Sequence, residues 1–299
     1  MIKVKFWGTR GSIPTPGKST VKYGGNTPCV EVRLQEKKLL IFDAGTGIRD
    51  LGDVLASSND GVKACIAITH PHWDHIQGLP FFKPLFESGN EFTIIGPKPR
   101  RQSLKRIISE QMNRVYFPVP FDELKSTITF RAMREESIPI FNAKLTSMYV
   151  NHPHLTIGYR LDSGKSSIVY ISDNEPFDLE IARSVRNVDR SVIGKYARNG
   201  EDPDKRIVDF ARGASIFIHD ATYTPDEYVH HVGWGHSHYL FALELAARAA
   251  VKKLVLFHHD QTHTDERIDA IVQKCCQLIR VRGYRFSCVA AREGMEHAC

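Results

Sequence analysis

Thr69-His70-Pro71-His72-Trp73-Asp74-His75 places four metal-competent side chains within six positions. The segment directly follows the apolar run Cys65-Ile66-Ala67-Ile68, so its polar residues fall in a loop at the end of a strand. Burying three imidazoles and a carboxylate without partners would cost several kcal/mol each, so the pattern is not a core feature. On a loop, neighbouring residues diverge. His70 and His72 can address one cation while Asp74 and His75 address another.

Further polar residues stand where apolar runs end. Asp43 closes LLIFD, His152 follows LTSMYVN, Asp173 follows IVYIS and His258 follows KLVLF. A mononuclear zinc site takes three protein ligands and a water, and a metal pair needs more, one of them shared. Strand ends that share a sheet edge can supply them. Two positions stay open on the residues alone: His152 and His154 flank Pro153, and His258 adjoins His259. Strand alternation favours His258 of the second pair.

The rest of the chain reads as alternating strands and helices. IKVKFWG, CVEVRL, KLLIFDAG and KACIAITH are strand-like, bounded by Gly, Pro, Asn or Asp. Helices are expected over about 78–88 and 101–113, the second with Leu104, Ile107, Ile108 and Met112 on one side. TITFRAM, AKLTSMYV, IGYRLDS, SSIVYISD, SIFIHDA and KKLVLFHH continue the strands, and HSHYLFALELAARAA and residues 265–281 read as helices. Strands that precede helices, with meander-like runs, imply two sheets with helices outside. One domain over 1–299 is expected, with a polar insertion around 183–206.

Composition narrows the class. With 299 residues, 42% hydrophobic and 25% charged, the chain is long enough for one large domain or two modest ones. No run reaches the roughly 18 apolar residues of a membrane span, and the N-terminus lacks a signal-peptide pattern. A cytoplasmic protein with no membrane partner is expected, and a homodimer is allowed. Six cysteines form no CxxC pair, while a net charge of +6 favours an anionic partner.

The order FDAG, THPHWDH, NHPHLTIGYR, ISDNEP, HDATY, GHSH and LFHH resembles the metallo-β-lactamase superfamily over about residues 4–265. Within it the chain is most similar to the phosphodiesterase branch, which includes tRNase Z, cyclic-nucleotide phosphodiesterases and phosphoribosyl cyclic phosphate phosphodiesterase. The resemblance implies an α/β fold, an αββα four-layer sandwich of two mixed sheets with helices outside. It implies two divalent cations, zinc first, with manganese or iron as alternatives. His70, His72 and His152 would hold the first, Asp74, His75 and His258 the second, and Asp173 would bridge them. His152 is preferred over His154 because relatives place the ligand before the proline. Asp43 would support the metal loop through hydrogen bonds.

Asp220 in HDATY and His236 in GHSH resemble the acid–histidine pair of that branch, with His238 where relatives carry threonine. The catalytic set implied is Asp74, Asp220 and His236, the histidine protonating the departing oxygen. His219 points opposite to Asp220 along its strand and reads as structural. Arm-bearing tRNase Z proteins carry a long extension between the histidine and the bridging aspartate. Here twenty residues separate His152 from Asp173, without room for an arm. The expected substrate is therefore a small anionic phosphodiester, a cyclic nucleotide or phosphoribosyl cyclic phosphate. The alternative is a nuclease of the tRNase Z type, acting on RNA 3′ ends or single-stranded nucleic acid. Arg10 and Asn26 are candidate phosphate or ribose contacts, weighed against plain turn roles. The aromatic turn Tyr116–Phe121 reads as core packing ahead of a pocket cap that stacks a base, and the basic run Lys98–Arg106 as a solvated helix face ahead of a nucleic-acid contact.

Overall fold

Apolar alternation and continuous apolar runs resolve into two seven-stranded mixed sheets in this computed structural model, which describes residues 2–35, 38–57, 61–177 and 204–299. Each sheet belongs to one of two compact units, Met1–Arg134 with Arg292–Cys299, and Glu135–Ala291.

In the first unit the strands are β1 (Lys3–Gly8), β2 (Cys29–Gln35), β3 (Lys38–Phe42), β4 (Lys63–Ala67), β5 (Glu91–Pro97) and β6 (Thr127–Met133). The C-terminal strand Glu296–Ala298 pairs with β1, and β1, β2 and β3 follow as antiparallel neighbours. From β3 to β6 the pairing is parallel, which requires crossovers. Helix α1 (Ile48–Ala56) makes the first, burying Ile48, Leu51 and Leu55, which share one helical face at spacings of three and four. These three join Phe82, Leu85 and Phe92 in one apolar cluster. A one-turn helix α2 (Trp73–Ile76) carries the histidine-rich loop onward. The single helix expected over 78–88 is instead two 3₁₀ turns, Leu79–Phe81 and Lys83–Phe86. Pro80 and Pro84 each remove an amide donor and cannot sit inside a continuous α-helix. Helix α3 (Leu104–Glu110) starts where the Ser103 side chain accepts from the Arg106 amide.

The second unit holds β7 (Ser137–Ile140), β8 (Ala143–Tyr149), β9 (Ile157–Ser163), β10 (Ser166–Ile171), β11 (Ile216–Asp220), β12 (Lys253–Phe257) and β13 (Ser287–Ala290). Strands β7 to β10 form an antiparallel meander, and β10 to β13 run parallel. Among its described residues the helices are α4 (Lys205–Ala211), α5 (Pro225–Tyr228), α6 (Tyr239–Arg248) and α7 (Asp265–Arg282). The last shows why its bounds fall where they do. Thr264 accepts from the Arg267 amide, Asp265 and Glu266 sit in the first turn, Arg280 and Arg282 in the last. Gly283 then ends it in the left-handed conformation at φ 66°. Of the expected polar insertion, residues 183–203 lie outside the described residues, and Lys205 and Arg206 belong to α4.

Parallel strands bring their carboxyl ends to one edge, the usual location of ligand sites in such sheets. Asp43 follows β3 and Thr69-His70 follow β4 in the first unit. In the second, β8, β10, β11 and β12 point the same way and lead into His152, Asp173, Asp220 and His258. Among the described residues, no helix is long and apolar enough to cross a membrane.

Candidate metal centre and acid pair

In the first unit Asp43 organises the histidine loop. Its carboxylate accepts from the Thr69 amide at 2.7 Å, from the Thr69 hydroxyl at 3.0 Å, and lies 2.8 Å from His75 Nδ1. Asp43 takes a left-handed φ of 58°, a conformation that costs energy for a side chain with Cβ. With Nδ1–H donated to Asp43, His75 keeps its Nε2 lone pair, the tautomer a metal needs. Nε2 in turn lies 3.3 Å from Asp74 Oδ2, which also accepts from the Ser12 amide at 2.8 Å. The Thr69 hydroxyl, donating to Asp43, receives His70 Nδ1 at 3.1 Å. His70 Nε2 then faces His72 Nδ1 at 2.8 Å, a spacing at which two ring nitrogens share a proton or converge on a cation. His70 and His75 are fully buried, whereas His72, at the start of α2, is exposed.

In the second unit the same logic recurs. His152 Nδ1 donates to the Gly235 carbonyl at 2.9 Å. His258 sits at a left-handed φ of 58°, with Nδ1 3.1 Å from the Thr222 hydroxyl. That hydroxyl has one proton, and the charged Asp220 Oδ1 at 2.7 Å is a stronger acceptor than the His258 carbonyl at 2.8 Å. It therefore accepts from His258 Nδ1–H and leaves Nε2 directed at Asp173 Oδ2, 3.6 Å away. Asp173, His236 and His258 offer three ligand atoms close enough to hold one ion. His70, His75, His152 and His258 thus each commit Nδ1 to an acceptor and present Nε2, and carboxylates stand beside them. This donor set fits divalent cations.

Asp220 is fully buried and accepts four hydrogen bonds: from the Thr222 amide at 2.9 Å and hydroxyl at 2.7 Å, the Asn174 amide at 3.2 Å, and His236 Nδ1 at 3.0 Å. His236 also stacks on His258, centroids 4.7 Å apart. The expected pairing of Asp220 with His236 is thus present as a contact.

Other histidines have structural work. His219 is enclosed between Phe217 and Phe241, and burial lowers its pKa. His238 caps α6 by accepting from the Phe241 amide, and burial again lowers its pKa, keeping that nitrogen an acceptor. His259 bonds the Ala291 carbonyl at 2.9 Å, and His154 is exposed.

Arg10 and Asn26, weighed as substrate contacts against plain turn roles, make turn contacts. Arg10 is fully buried and donates to the Gly24 carbonyl at 2.8 Å, while Asn26 is held by Glu293 and Thr46. The aromatic turn packs inward through Phe117 and Phe121 and leaves Tyr116 exposed. In the basic run, Arg106 pairs with Glu110 and Lys105 with Asp122.

Sequence reasoning missed Thr222, Gly235 and Glu175. Glu175 accepts from the Gly233 and Gly235 amides and from Tyr228, and burial pushes its carboxyl above the usual range despite those donors. Only the HDAT resemblance could have pointed to Thr222.

The profile of the beta-lactamase superfamily domain matches residues 39–201, more than half of the 299-residue chain. The chain belongs to this superfamily. Among the relatives of this beta-lactamase superfamily member, the ribonuclease Z of Staphylococcus haemolyticus is 23% identical over 91% of this chain and 93% of that protein. The ribonuclease Z of Thermoplasma acidophilum is 27% identical over 89% of each. The metallo-beta-lactamase fold protein YhfI from Bacillus subtilis superposes with TM-score 0.68 at 15% identity, covering 99% of this chain and 98% of that one. Human tRNase Z, short form, gives 0.63 at 20% identity, covering 99% and 98%. A diphosphatase of the PhnP family gives 0.64 at 17% identity, covering 100% and 98%. The expected α/β metallo-β-lactamase fold is borne out, as is a metal-dependent hydrolase at the level of this superfamily.

Proposed function

We propose that this beta-lactamase superfamily member is a metal-dependent phosphodiesterase whose substrate is RNA, cut in the manner of the ribonuclease Z relatives. The observation that carries the reaction class is the buried Asp220 beside His236. Nδ1–H of His236 bonds to a carboxylate that also accepts from two amides and a hydroxyl. That negative charge favours the imidazolium, whose Nε2–H can pass to a departing ribose oxygen.

His70, His72, Asp74, His75, His152, Asp173 and His258 are the residues that would hold two divalent cations, with Asp173 shared. When bound, the cations supply an activated water and screen the phosphate charge. Asp43, Thr69, Thr222 and the Gly235 carbonyl orient the imidazoles by fixing their Nδ1 protons.

The names of the relatives move the substrate from the small cyclic phosphodiester expected from sequence to RNA. One observation keeps the cyclic substrate as a second reading. Strands β9 and β10 are joined by a two-residue turn, Gly164-Lys165, with Gly164 at φ 60° and no room for a tRNA-gripping extension there.

The experiment is hydrolysis of pre-tRNA, linear dinucleotides, 2′,3′- and 3′,5′-cyclic nucleotides and phosphoribosyl cyclic phosphate, with zinc or manganese. Metal-dependent cleavage at the 3′ side of pre-tRNA is expected. Turnover of a cyclic phosphodiester without RNA cleavage selects the second reading, and inertness toward every substrate overturns the phosphodiesterase.

A further inference from the structure

Glu175 is a buried carboxylate two residues beyond Asp173, and its partners all bear on one loop. Oε1 accepts from the Gly233 amide at 2.6 Å and the Tyr228 hydroxyl at 3.1 Å, and Oε2 from the Gly235 amide at 3.0 Å. The two oxygens of one side chain thus hold the amides on either side of Trp234. Both glycines have left-handed φ, 86° and 89°, so the loop adopts a shape side chains resist. At Gly235 there is also no space, because a Cβ would lie 2.3 Å from His152 Nδ1.

The same loop carries two groups of the proposed site. The Gly235 carbonyl accepts from His152 Nδ1 at 2.9 Å, and the next residue is His236. The main chain of Glu175 reaches the His152 segment as well: its amide donates to the Asn151 carbonyl at 2.8 Å and its carbonyl accepts from Asn151 Nδ2 at 3.0 Å. One residue therefore ties the segments holding Asp173, His152 and His236.

We propose that Glu175 is a positioning residue: by clamping the Gly233–Gly235 loop it holds the carbonyl that fixes the His152 ring. This rests on the reading of His152 as a ligand. Loosening the loop would let the ring rotate and its proton redistribute between the nitrogens. Losing a partner that orients a ligating histidine weakens metal binding about 10- to 100-fold.

The test uses full-length Glu175→Gln, which keeps shape but turns an NH₂ toward one glycine amide, and Tyr228→Phe, which removes one donor with little change of volume. The first readout is the ring-nitrogen NMR spectrum of the metal-free protein, which reports the His152 tautomer. The second is zinc affinity by competition with a chromophoric chelator. The wild type should show the Nδ1–H tautomer. Glu175→Gln should show mixed tautomers and about 10- to 100-fold weaker zinc binding with unchanged far-UV circular dichroism. Tyr228→Phe should shift both in the same direction by a smaller factor, and it serves alone if Glu175→Gln does not fold. Folded variants with wild-type tautomer and wild-type zinc affinity would overturn the proposal. A wild type that binds no zinc would sink the metal reading instead, while the tautomer comparison would still judge the clamp.

Discussion

Replacing Asp220 by Asn removes one charge and changes no volume, so its consequences can be worked from four hydrogen bonds. The carboxylate accepts from Thr222 twice, from the Asn174 amide and from His236. An asparagine must turn its NH₂ toward either the Thr222 amide or the Asn174 amide, so each orientation sets a buried donor against a donor. That should cost about 1–3 kcal/mol of stability, read by urea unfolding. The kinetic effect is separate. A hydrogen bond to a charged group contributes about 1.5–3 kcal/mol, and this is what the His236 imidazolium loses. At about 1.4 kcal/mol per decade, transfer of a proton to a ribose oxygen should slow about 10- to 100-fold. A p-nitrophenolate departs with little help, so kcat/KM on bis(p-nitrophenyl) phosphate should fall less than about threefold. His236→Ala, which removes the acid itself, should cost about 10²- to 10⁴-fold on the ribose substrate and again spare the nitrophenyl ester. Both variants are compared at equal metal content. Equal losses on the two substrates would refute the acid role, and loss of metal in His236→Ala would make that residue a ligand.

Asp43→Ala should leave His75 unoriented and weaken zinc binding about 10- to 100-fold, measured by chelator competition. Glu227 tests a structural device away from the chemistry. Burial raises its carboxyl pKa, but the Thr224 amide, His263 and Arg267 outweigh that and hold it at about 2. A folded pKa below the unfolded one contributes stability above about pH 4.5, and that stability is lost as pH falls toward 2. Because the group is partly exposed, Glu227→Gln should cost only about 1 kcal/mol at pH 7, and the difference should vanish near pH 2 in unfolding curves at both values.

Much of the site was legible because its residues sit at strand exits, which apolar runs mark clearly. The runs before Asp43, His70, Asp173 and His258 become β3, β4, β10 and β12, and the paired Asp220 and His236 meet as expected. What stayed hidden depends on residues far apart in the chain. Glu175 acquires meaning only through amides 58 and 60 positions away, and Gly235 only through His152, 83 positions away. Arg10 and Asn26 stayed open because a glycine-rich turn reads alike whether its polar side chains face a ligand or lock the turn itself. The stretch over 78–88 has helical periodicity, and only its two prolines break it into 3₁₀ turns. The short strand Glu296–Ala298 has too few residues for any period to show.

Whether seven side chains hold two cations that the reaction requires is read by titrating metal into the chelator-stripped protein. Zinc is added in fractions of an equivalent while bound metal and bis(p-nitrophenyl) phosphate hydrolysis are followed together. No activity without metal, saturation at about two ions per chain, and most activity returning with the second equivalent are expected. Full activity at one ion per chain, or in the stripped protein, would contradict it.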